Sequence, residues 1–221
     1  MRKTILLLSV LALLLAAAAP AGAAGIALDG PDPSFWLSDP EGDEGDNGIE
    51  QFHPIAGSSG SATVNTNGAI IRVSTTGLEP GHVYTMWVVY FVDHDECIDG
   101  CNGADLSMAP GGVIWGDGKI ATANGTAHFT ARLTPGEGAE YVGESPPPPF
   151  SFGEYEPNEN NEFHVVVRSH GPRIPGEVDE QRSTFGGGCL VNVGPAPEQM
   201  GDFPVPTAPG ECGDVQLFVF S

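Results

Sequence analysis

Residues 77–94, GLEPGHVYTMWVVYFVDH, constrain the fold of this chain more than any other stretch. Gly77, Pro80 and Gly81 mark a tight turn, and the longest uncharged apolar run beyond the first 24 residues follows it. Along that run Val83, Thr85, Trp87, Val89 and Phe91 make one face apolar, while Tyr84, Met86, Val88 and Tyr90 make the other nearly so. A strand that is apolar on both faces has to be covered on both, which predicts a central strand. The run then stops abruptly at Asp93, His94, Asp95 and Cys97.

The rest of the chain reads as short strands arranged around this one. Ser61–Asn65 and Ala69–Thr75 flank Thr66-Asn67-Gly68, and Asn-Gly is a strong hairpin signal. Ile71 and Val73 alternate with Arg72 and Ser74, so one face of the second strand is wet. Gly112–Trp115 and Lys119–Ala123 read as strands on either side of Gly116-Asp117-Gly118. Asn124-Gly125 turns the chain into Thr126–Leu133, where Ala127, Phe129, Ala131 and Leu133 point inward and His128, Thr130 and Arg132 outward. Glu162–Ser169 and Asp214–Phe220 follow, the latter with Val215, Leu217 and Val219 on one face. About eight or nine short strands, glycine-containing turns and no amphipathic helix predict an all-β antiparallel sandwich with Greek-key-like connections and long loops.

Residues 1–24 have the pattern of a signal peptide: basic Arg2 and Lys3, the apolar run Ile5–Ala18, and small residues at Ala21-Gly22-Ala23-Ala24. No later segment reaches the ~20 apolar residues of a membrane span, so the expected product is secreted or held at the cell surface. Residues 25–60 form an acidic N-terminal segment with an apolar island, Phe35-Trp36-Leu37, that would dock as an edge strand. Residues 61–221 hold the sandwich, with Pro-rich insertions at 134–161 and 194–210. Within the first insertion, Phe150, Phe152 and Tyr155 are expected to pack back on the core.

Charge narrows the range of partners. The net charge is −21, with 29 acidic against 8 basic residues, two of which leave with the leader. Such a surface keeps a protein soluble and attracts cations; it disfavours nucleic acid and anionic lipid. Adaptation to a saline habitat explains the same numbers.

Four cysteines in an exported chain imply two disulfides with three pairings open. The most local pairing joins Cys97 to Cys101 and Cys189 to Cys212, the second closing a loop around the later Pro-rich segment. A zinc site is the competitor, but paired CxxC knuckles are missing.

The segment TTGLEPGHVYTMW, with its G-L-x-P-G turn and following strand, resembles copper/zinc superoxide dismutases and the CHRD domains of secreted proteins. That resemblance implies a β-sandwich. In dismutases the same strand carries an H-x-H pair of copper ligands, and those positions fall here on Met86 and Val88, so the resemblance carries a fold without that activity. With HVVVRSHGP and the spaced cysteines, the chain is also similar to uncharacterised secreted bacterial proteins.

Two constellations carry candidate chemistry. His164, Arg168 and His170 alternate along one strand face in EFHVVVRSHGP. At ~3.3 Å per residue the two histidines stand about 20 Å apart, too far to share a metal. A guanidinium fork at Arg168 suits an anion or carboxylate; in a chain with so few basic residues, a salt bridge to one of the many surface acids is the preferred account. Asp93, His94, Asp95, Asp99 and Asp105 cluster around the Cys97–Cys101 loop. Their oxygens suit calcium and His94 admits a transition metal, although EF-hand spacing is not met. No cofactor is predicted beyond these. No G-x-S-x-G elbow, free catalytic cysteine or H-E-x-x-H helix is present. The expected function is an extracellular binding or structural module with an unassigned ligand or protein partner. The alternative is a metal-dependent enzyme or calcium-binding protein on a dismutase-like scaffold.

Overall fold

The computed structural model of the chain describes residues 26–27, 32–36, 52–97, 101, 111–137, 154–192 and 206–221. They form an all-β sandwich. The strands are β1 (Ile26–Ala27), β2 (Asp32–Trp36), β3 (Phe52–Pro54), β4 (Ser59–Asn65), β5 (Gly68–Thr75) and β6 (His82–Phe91). They continue with β7 (Gly111–Ile120), β8 (Ala127–Leu133), β9 (Glu162–Pro172), β10 (Val191–Asn192) and β11 (Glu211–Phe220). One helical turn, α1 (Val178–Gln181), lies between β9 and β10. The strands beyond the expected eight or nine are β1, β3 and β10, pairings of two or three residues that are too short to show alternation.

One sheet runs β1-β4-β5-β8, and the other runs β3-β2-β11-β9-β6-β7 with β10 alongside β11. After β5 the chain crosses to the second sheet for the β6–β7 hairpin and then returns as β8 beside β5, which is a Greek-key step. β6 is paired on both edges, with β9 and β7. Its inner residues Tyr84, Met86, Val88 and Tyr90 are buried with Phe163, Val165 and Val167 from β9 and Phe218 and Phe220 from β11. Ile71, Val73, Phe129, Ala131 and Leu133 close the core from the smaller sheet. A side chain the size of Phe or Leu contributes roughly 1.5–3 kcal/mol when fully buried, so this layer is the main source of stability.

Three register shifts interrupt the larger sheet; one lies between His82 and Tyr84 opposite β9, and the other two modify the expected alternation. Gly116-Asp117-Gly118 does not separate two strands. Met86 pairs with Asp117 and Trp87 with Trp115, leaving Gly116 as the extra residue in a continuous β7. In β11, Asp214 pairs with Arg168 and Gln216 with Val167, so Val215 is the extra residue. Val215 therefore joins the core with Phe218 and Phe220 and parts from Leu217.

The island at Phe35 is also placed differently from expectation. β2 pairs with β11 on one side and β3 on the other, so β3 takes the edge. Of the first insertion's aromatics, Tyr155 packs back: it is buried edge-on to Tyr90 at 5.4 Å and donates to Asn161 Oδ1 at 3.0 Å. Phe150 and Phe152 lie outside the described residues.

Candidate functional site

The outer face of the larger sheet carries the His-Arg-His row. Alternation turns Phe163, Val165 and Val167 inward, which leaves His164, Val166, Arg168 and His170 on the far side. There β6 contributes Thr85, Trp87, Val89 and Phe91. The segment 173–190, which includes α1, lies over one end of this face as a cap. Arg182 donates to the Gly118 carbonyl at 3.2–3.3 Å. The approach is so close that a Cβ on Gly118 would lie 1.9 Å from the Arg182 carbonyl oxygen. Gln181 donates to the carbonyls of His170 and Pro172 at 3.0 and 3.1 Å and accepts from the Ile174 amide at 2.9 Å. The Cys189–Cys212 disulfide ties the end of the cap to β11, and Cys97 is joined to Cys101, the pairing expected from proximity.

Beneath the cap the polar groups are used internally. His170 is 0% exposed. Its Nδ1 lies 2.8 Å from the Gly187 carbonyl, which only accepts, so Nδ1 carries the proton. Nε2 then accepts from the Thr85 hydroxyl at 2.8 Å, and that hydroxyl accepts in turn from Trp87 Nε1 at 2.9 Å. The chain of donors is complete only with a neutral imidazole. Burial pushes the His170 pKa down to about 4; the Gly187 bond opposes this and the Arg168 charge adds to it.

Arg168 is 4% exposed and makes four interactions with three residues. It donates to the Phe185 carbonyl at 3.1 Å, to Asp214 at 2.8 Å and to Asn192, and its guanidinium sits 3.9 Å over the Phe185 ring. Phe185 stands edge-on to Trp87 at 5.3 Å. In a dry setting a guanidinium so fully engaged fixes the cap to the sheet.

The other candidates gather at the opposite end of β9. His164 bonds Glu162 at 2.6 Å and stands edge-on to Phe91 at 5.1 Å. Beyond Phe91, Asp93 Oδ1 accepts from the Asp95 amide at 3.1 Å and from Asn160 Nδ2 at 3.3 Å. His94 Nδ1 donates to the Asn160 carbonyl at 2.9 Å, and its Nε2 is 3.4 Å from Asp95. Asp99 and Asp105 lie outside the described residues. Among the described residues, the one trio of His, Cys, Asp or Glu with ligand atoms within 4.8 Å of one another is His170, Cys189 and Cys212. Both of those sulfurs are held in the disulfide. Met86 and Val88, the positions matching copper ligands in the dismutase resemblance, are fully buried between the sheets.

A third surface has the opposite character. The outer face of the smaller sheet presents Ser59, Ser61 and Thr63 from β4, Ile70, Arg72 and Ser74 from β5, and His128, Thr130 and Arg132 from β8. Register sets Ser61, Arg72 and Thr130 in one row and Ser59, Ser74 and His128 in the next. Arg72, His128 and Arg132 are exposed, and none of their side chains enters a hydrogen bond or ion pair with a described residue. No aspartate or glutamate belongs to this face of β4, β5 or β8. Two described acids border it: Asp117 is engaged by Lys119 at 2.8 Å and by the Gly118 and Thr130 amides at 2.8 and 3.0 Å, and Glu137 accepts from the Thr134 amide at 2.7 Å. The signal for this face was present in the sequence as the outward positions Arg72, His128 and Arg132. Grouping them required knowing that β5 pairs with β8. The chain matches no family model, no curated protein and no solved structure.

Proposed function

We propose that the chain is an exported, disulfide-clamped β-sandwich that acts by binding, through the outer face of its smaller sheet. One contrast carries this reading. Arg168 and His170 are closed under the cap with their hydrogen bonds met, whereas the side chains of Arg72 and Arg132 stand exposed without partners among the described residues. A chain of net charge −21 whose outward positions on β4, β5 and β8 hold two arginines and no acid has the charge separation of a recognition surface. The two disulfides and the pattern of residues 1–24 support an extracytoplasmic setting. Among the described residues no helix is long and apolar enough to cross a membrane. The turn and strand at 77–87 support a scaffold like that of dismutases and CHRD domains, without the copper ligands.

The second reading is a cation site, calcium or a transition metal, at the Asp93–His94–Asp95 turn near His164; the proximity of His94 Nε2 to Asp95 supports it. Elemental analysis of the purified chain, with thermal melting before and after a chelator, separates the two. The binding reading expects no bound metal and an unchanged Tm. Stoichiometric metal with a chelator-dependent drop in Tm would replace it with the metal reading.

A further inference from the structure

Resting on that reading, we infer that the basic face of the smaller sheet takes a carboxylated polysaccharide, a chain of sugar units bearing spaced carboxylates. The spacing of the cations favours it. Arg72 pairs with Thr130, so His128 and Arg132, two residues to either side on β8, are its diagonal neighbours. Diagonal Cβ atoms in an antiparallel pair lie about 7–8 Å apart, which sets the interval between the two guanidinium-bearing positions; the His128 imidazole adds a hydrogen-bonding group about 13 Å from Arg132 along β8 at the usual rise. Cations at this interval suit a polymer with one carboxylate on each sugar or every second sugar. Each guanidinium can grip a carboxylate with two parallel bonds.

Apart from the aliphatic Ile70, which lies between Thr63 and Arg132, the remaining groups of the face are mostly hydroxyls. Ser59, Ser61, Ser74 and Thr130 surround Arg72 and His128 in a hollow of 290 Å³. A second hollow of 340 Å³ continues the face past Arg132, lined by Asn65, Asn67 and Thr134 among others. Two shallow hollows in succession along β8, each mixing polar side chains with apolar ones such as Val73 in the first and Ile70 in the second, fit consecutive units of a chain, whose ring hydroxyls exchange hydrogen bonds with serine, threonine and asparagine.

Nucleic acid fits poorly. Duplex DNA carries one charge per ~1.7 Å, a density that the surrounding acids would repel. Single strands are held by stacking on aromatic rings, and the outward positions of β4, β5 and β8 hold none. A neutral glycan would leave both arginines without a counter-charge. The chain's own acidic stretch, Asp39–Glu50, or that of a second copy is the remaining rival, and it lacks the ring hydroxyls that the serines and threonines match.

The test uses the full exported chain with both disulfides formed, titrated with oligogalacturonate at low salt by calorimetry. Neutral glucan and oligo(dT) serve as parallel ligands, and sedimentation velocity is run without ligand. The proposal expects binding to oligogalacturonate that weakens with added salt. It expects about a tenfold loss for Arg72→Gln and again for Arg132→Gln, with Tm unchanged because both side chains are exposed. Arg173→Gln, away from this face, serves as the charge control and should bind as the wild type does. Equal binding of glucan, preference for oligo(dT), an Arg173→Gln loss as large as that of Arg72→Gln, or arginine-dependent self-association in place of glycan binding would each overturn the carboxylated-glycan assignment. Those results leave the chelator test of the binding reading standing, and failure of that test leaves the glycan result readable.

Discussion

Acidification should act on this protein through His170. The imidazole ordinarily titrates near 6.5 and is held at about 4 by burial in the folded chain. Above the higher value it is neutral in folded and unfolded chains alike, and its contribution is complete. Between the two values the unfolded chain binds a proton that the folded chain refuses, so stability falls as the pH falls. The gap corresponds to on the order of 3 kcal/mol. Protonation would put a second donor hydrogen on the Thr85 side of the ring, where the hydroxyl already accepts from Trp87, and would place a charge beside Arg168. Urea unfolding followed by tryptophan fluorescence, from about pH 7 to about pH 4, measures the loss in the wild type and in His170→Gln. The many carboxylates contribute equally to both proteins, so the difference between the two profiles isolates residue 170. The wild type should lose on the order of 3 kcal/mol more than the variant across that window. Parallel profiles would refute the buried neutral imidazole.

Other substitutions probe the cap. Arg168→Ala removes three donated bonds and the stacking on Phe185, and should cost about 2–3 kcal/mol in chemical denaturation, moderated because Asp214 is half-exposed and can return to water. Gly118→Ala forces a methyl against the Arg182 carbonyl and should cost about 1–3 kcal/mol, with faster proteolysis within 173–190 as a second readout. Paired Cys→Ser replacement at Cys189 and Cys212, which are 23 residues apart, should destabilise by about 3 kcal/mol. The same change at Cys97 and Cys101, four apart, should give about 2 kcal/mol, and thermal melting ranks the two.

Some of this was legible in the sequence and some was not, for physical reasons. The centrality of β6 followed from two apolar faces, because nothing but a two-sided cover satisfies them. The disulfide pairing followed from proximity along the chain. The bulges at Gly116 and Val215 did not, because an extra residue is visible only against the partner strand that it fails to match. Alternation placed His164, Arg168 and His170 on one face correctly, yet it is silent on what covers that face. The cap is a run of polar and glycine residues with no periodicity, so its docking on Gly118 and His170 is a tertiary fact. The basic face was half legible: Arg72 and Arg132 each read as outward, but their adjacency depends on pairing between strands about 60 residues apart along the chain.

Amide hydrogen exchange on the whole chain, with and without saturating oligogalacturonate, tests the central claim most directly. The account predicts slowed exchange in β4, β5 and β8 around Arg72 and Thr130, with 93–97 and 173–190 unchanged. Protection confined to the Asp93–Cys97 turn or the cap, with β5 and β8 unaffected, would contradict it.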